Sequence, residues 1–71
     1  MNTNLLRYHM GMHGDKQADL AKALHLPQSA LSARMTGKTD FRRLEMEAIC
    51  KRYDLTADDM LAVFFAPIVS D

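Results

Sequence analysis

The chain has 71 residues, 48% of them hydrophobic, with nine basic and nine acidic side chains and a formal net charge of zero. That length holds one domain with a small core, and the apolar fraction argues against a disordered chain. A zero net charge counts against a protein that binds nucleic acid through overall basicity.

Cys50 is the single cysteine, so no intrachain disulfide forms, which suits a reducing cytoplasm. The apolar run at Met60–Val63 and Phe64–Ala66 ends at Pro67 and is far too short to span a bilayer. Met1–Met12 lacks the basic-then-apolar order of a secretory signal. The expected location is cytoplasmic, with no membrane contact.

Apolar spacing predicts an all-α bundle of five short helices in one domain over residues 1–71. The first runs from Thr3 or Asn4 to Met12, with Leu5, Leu6 and Met10 as its apolar stripe and Gly14 as its stop. Asp15 is the expected N-cap of the second, in which Leu20, Ala21 and Leu24 share a face. His25-Leu26 forms the turn, with Leu26 as a buried plug. The third starts at Pro27 or Gln28, points Leu31 and Met35 inward and ends at Gly37 in a left-handed conformation.

Thr39 or Asp40 is expected to cap the fourth helix. Its inward positions are Phe41, Met46, Ile49 and Tyr53, followed by Leu55. Thr56 and Asp59 form a capping box for the fifth, which sends Met60, Leu61 and Phe64 to the core before Pro67 breaks it.

Charge is unevenly spread. Arg34, Lys38, Arg42 and Arg43 lie in one ten-residue stretch with a single acid, Asp40. From Asp54 onward there are four aspartates and no basic residue. Such a dipolar molecule can offer a basic face to phosphate and keep its acidic end away.

The order Gln17-x-x-Leu20-Ala21, then Gln28-Ser29, Leu31-Ser32 and Gly37-Lys38, resembles the helix-turn-helix of phage repressors of the Cro/CI type. Phe41, Leu55-Thr56 and Phe64-Phe65 extend the likeness over roughly Leu6 to Phe65. No single motif is unique to the family; order and spacing together carry the likeness. The sequence departs from the family at three positions. His25 stands where a turn glycine is common, Lys16 where a serine or threonine precedes the first glutamine, and Pro27 where a serine precedes the second.

The resemblance implies a lambda-repressor-like fold and a sequence-specific DNA-binding regulator, a repressor that binds a near-palindromic operator as a dimer. It implies base contacts from Gln28 and Ser29, and a phosphate contact from Gln17, which also braces the next helix. Ser32 would sit near the groove and Lys38 near the DNA backbone.

The chemistry of these side chains agrees. A glutamine amide matches N7 and N6 of adenine, and a serine hydroxyl donates or accepts. Ala30 and Ala33 are small enough to admit the helix to the groove, and an alanine methyl such as that of Ala33 can touch a thymine methyl. Arg34 and Lys38 are long cations suited to phosphates.

Other features are weaker. His9 and His13 stand at a helical metal spacing but lack a third ligand, so they read as surface residues and no metal or cofactor is expected. Cys50 reads as a small core filler. No nucleophile-and-base order or phosphate loop is present, so no catalytic residue is expected and the chain is not read as an enzyme. No small-molecule ligand is evident either.

Residues 61–71 hold more apolar side chains than one helical face can bury. Phe65, Ile68 and Val69 are therefore expected to form a homodimer interface, joined by Leu44. The rival reading is a protein-interaction adaptor, antitoxin-like or anti-repressor, that uses this apolar surface and needs no DNA.

Overall fold

The computed structural model describes residues 1–65. In chain order the helices are α1 (Thr3–Met12), α2 (Gln17–Ala23), α3 (Gln28–Met35), α4 (Arg43–Arg52) and α5 (Ala57–Phe64). No strand occurs among the described residues. The Cα radius of gyration is 11.6 Å, against about 11 Å for a compact chain of this length. No described helix is long and apolar enough to cross a membrane. Ile68 and Val69 lie outside the described residues, as does the helix break expected at Pro67.

Every element contributes to one core. Leu6 and Met10 come from α1, Leu20 and Ala21 from α2, Leu31 and Met35 from α3, Ile49 from α4 and Val63 from α5. Phe41 enters from the loop before α4, and Tyr53 from the residue that ends α4. Burying one such leucine or isoleucine contributes about 1.5–3 kcal/mol. Phe41 meets Phe64 edge-to-face, ring centroids 5.5 Å apart, which closes the core between the α3–α4 loop and α5.

Four of the five helices among the described residues end the same way. A residue with positive φ follows the last turn at Gly14, His25, Gly37 and Asp54. The next amide then reaches back to a carbonyl of that turn: Asp15 to Met10, Leu26 to Ala21, Lys38 to Ala33 and Leu55 to Cys50, all at 2.9 Å. This stop satisfies a carbonyl that the helix leaves unpaired. Glycine adopts the conformation freely; His25 and Asp54 do so against a steric cost.

Several expectations are corrected. Lys16, not Asp15, is the N-cap of α2, and its N–H donates to the Asp19 carboxylate at 2.8 Å. Asp15 instead accepts from Arg52 through Nε at 2.6 Å and Nη2 at 2.9 Å, and from the Tyr53 hydroxyl at 2.7 Å. It thereby pins the α1–α2 turn to the end of α4. The Arg52 hydrogen bond holds the Asp15 carboxyl below its ordinary range, aided by Tyr53 and opposed by burial. Burial raises the Tyr53 hydroxyl pKa, and the Asp15 hydrogen bond adds to the rise.

Neither Thr39 nor Asp40 caps α4. Arg42 holds that position, because the Glu45 carboxylate reaches back to the Arg42 N–H at 2.9 Å. Leu26 is half-buried rather than a buried plug, and Cys50 is half-buried rather than a core filler. On α5 the buried residue is Val63, while Leu61 stays 51% exposed. Met60, Val63 and Phe64 stand at i, i+3 and i+4, and Leu61 falls off that stripe. The expected Thr56–Asp59 capping box is present, each side chain bonded to the other's N–H at 3.1 Å.

Candidate nucleic-acid interface

The surface of interest is built on the packed pair α2 and α3. The segment Leu24–Pro27 joins them. His25 at φ 56° turns the chain, and Pro27, with φ −59°, precedes α3. Proline donates no N–H, and none is needed there; its carbonyl accepts from Ala30 and Leu31 at 3.0 and 3.1 Å. Burial of Leu31 and Met35 fixes the rotation of α3 about its axis.

That rotation leaves Gln28, Ser29 and Ser32 exposed on the outer face. None of their side chains is hydrogen-bonded among the described residues, so their donors and acceptors are open to a ligand. Ala33 is half-buried on the flank, and its carbonyl accepts from Lys38 at 2.9 Å and Thr39 at 3.2 Å. Gln17 is half-buried at the first position of α2. The expected residues therefore divide into an exposed polar row on α3, a half-buried Gln17 with no side-chain hydrogen bond among the described residues, and a half-buried Ala33 near the end of α3.

Arg34 does not fit a phosphate role. Its Nε donates to Glu45 at 2.7 Å and its Nη1 to the Ala30 carbonyl at 3.2 Å. Both side chains of the Arg34–Glu45 pair are only 12% exposed. This cation is spent inside the protein. Lys38 is exposed beside the left-handed Gly37, and Arg42 is exposed with no ion pair among the described residues. Arg43 makes only a loose, exposed contact with Glu47 at 3.5 Å. The basic character of this edge therefore comes from Lys38, Arg42 and Arg43.

Sequence reasoning passed over Arg42 as a site residue, although it lies in the basic run, and it passed over Glu45. The signal for Glu45 is an acid three residues after the N-cap.

The rest of the surface offers little chemistry. Among the described residues no group of three His, Cys, Asp or Glu side chains could hold a metal ion. His13 stacks on Tyr53 with ring centroids 5.2 Å apart, and His9 meets Tyr8 edge-on at 5.4 Å. Burial, with the Glu47 charge nearby, pushes the Cys50 thiol pKa up, which disfavours the reactive thiolate. Leu44 and Phe65 are exposed at 76% and 57%. No family model matches this chain, and no curated protein or solved structure matches it.

Proposed function

We propose that this protein is a sequence-specific DNA-binding regulator that lays α3 in the major groove. The observation that carries the reading is the outer face of α3. Gln28, Ser29 and Ser32 stand free there, opposite buried Leu31 and Met35, while Lys38 and Arg42 lie exposed just beyond the helix end. Amide and hydroxyl groups at the start of a helix suit base edges, and flanking cations suit phosphates. Gln28 and Ser29 read bases, and Ala33 offers a methyl at the edge of the contact. Gln17, Ser32, Lys38 and Arg42 meet the DNA backbone. Arg34 is omitted, because Glu45 holds it.

The protein acts as a homodimer in this reading, joined through Phe65 with Leu61, both exposed on or just after α5, and through Ile68 and Val69. Two copies place α3 in successive major grooves about 34 Å apart on a near-palindromic operator and exclude the polymerase sterically.

Titration of the labelled protein with a mixed-sequence 20-base-pair duplex tests the reading by amide shifts. Shifts are expected at Gln17, across Gln28–Ser32 and across Lys38–Arg43. No shifts, or shifts confined to Leu61–Phe65, would overturn it. The exposed Leu44, Leu61 and Phe65 favour a second reading, an adaptor that docks another protein without DNA. In that case the duplex leaves the spectrum unchanged.

A further inference from the structure

The loop between α3 and α4 carries the cations of the proposed interface, and it is tied at both ends. At its start, Gly37 at φ 85° lets Lys38 N–H reach the Ala33 carbonyl at 2.9 Å. At its end, Phe41 is buried against Phe64. The third tie is a single oxygen. Glu45 Oε1 accepts from Arg34 Nε at 2.7 Å and from the Arg42 N–H at 2.9 Å. One carboxylate thus joins the last turn of α3 to the N-cap of α4, across the loop that bears Lys38 and Arg42.

We propose that Glu45 is a positioning residue: by gripping Arg34 and the Arg42 backbone on one oxygen, it holds Lys38 and Arg42 as a preformed phosphate clamp in fixed relation to the polar row of α3. Glu45 touches no ligand itself. Its pair with Arg34 is largely shielded from water, so the contact is weakly screened. Arg34 is a strut between α3 and α4. A clamp whose loop backbone is ordered beforehand binds more tightly, because that backbone loses less freedom on contact. The affinity half of this inference rests on the DNA reading; the loop-order half does not.

Two variants separate reach from charge. Glu45→Asp keeps the charge but is one methylene too short to serve both donors. Glu45→Gln keeps the reach and an acceptor oxygen but loses the charge. Backbone 15N relaxation on the free proteins is the first readout. Order across Lys38–Asp40 is expected to fall in E45D and to persist in E45Q. Anisotropy titrations with the 20-base-pair duplex are the second. E45D is expected to weaken binding about tenfold on every sequence, with the order of sequence preference unchanged.

Normal loop order in folded E45D would overturn the proposal, as would loss of order in E45Q with retention in E45D. If E45D does not fold, Arg34→Gln, which removes the α3 arm of the grip, is read in its place: reduced order across Lys38–Asp40 supports the proposal, and wild-type order overturns it. Failure of the wild-type protein to bind any duplex would sink the DNA reading and leave the relaxation result standing on its own.

Discussion

Replacing Tyr53 by phenylalanine isolates one hydrogen bond in the contact that ties the α1–α2 turn to α4. The ring stays buried, keeps its place beside His13 and loses only the hydroxyl that donates to Asp15 at 2.7 Å. A hydrogen bond to a charged acceptor contributes about 1.5–3 kcal/mol. Asp15 keeps both bonds from Arg52 and is not orphaned, so the low end applies, about 1.5 kcal/mol. For a domain of this size that lowers Tm by roughly 6–12 °C.

The loss should depend on pH in a defined way. The folded-state pKa of Asp15 is depressed, so its contribution is present above the unfolded value of about 3.9 and is lost as pH falls through the folded value. The folded-state pKa of Tyr53 is raised, so its contribution is complete below about 10 and is lost as pH rises toward the folded value. The difference between wild type and Tyr53→Phe should form a plateau between those limits and shrink on both sides. Urea unfolding followed by far-UV circular dichroism at pH 3, 7 and 10.5 measures it. Equal midpoints at pH 7, or the same difference at all three pH values, would refute the reasoning.

Other expectations follow from the same geometry. His25 at φ 56° carries a left-handed cost of roughly 1–2 kcal/mol, partly offset by the extra unfolded-state entropy of glycine. His25→Gly should therefore stabilise the fold by about 0.5–1 kcal/mol in urea melts; an equal or lower midpoint would show that the turn is not strained. Lys38→Ala should weaken binding to all duplexes alike and lower the salt slope by about 1, read from anisotropy titrations at several salt concentrations. Phe65→Ser should shift sedimentation equilibrium from dimer to monomer with the helical spectrum unchanged; an unaltered mass would remove Phe65 from the interface.

The five helices were legible because each repeats apolar residues at helical spacing, and Gly14 and Gly37 announce their own turns. The left-handed position at His25 is signalled only by its standing where a turn glycine is common, and the one at Asp54 is hidden, since neither residue type requires that conformation. The N-caps of α2 and α4 are hidden in the sequence for one reason. The donors there are backbone amides of Lys16 and Arg42, and the acceptor stands three residues later, at Asp19 and Glu45. The capping box at Thr56 is legible because both of its partners are polar side chains in familiar positions.

The candidate site was legible where exposure follows from helix phase, as for Gln28, Ser29 and Ser32. It was not legible where a partner lies far along the chain. Nothing local tells Arg34 that Glu45 lies opposite it, or Asp15 that Arg52 and Tyr53 do, 37 and 38 positions on.

The most direct test of the central claim is selection of bound duplexes from a random library at moderate salt, with Gln28→Ala carried in parallel. If α3 reads bases, the wild type enriches an inverted repeat, and the variant loses preference at one position in each half-site, a cost of about 1–3 kcal/mol per site. No enrichment by the folded wild type, or an identical motif from both proteins, would contradict base reading by α3 through Gln28.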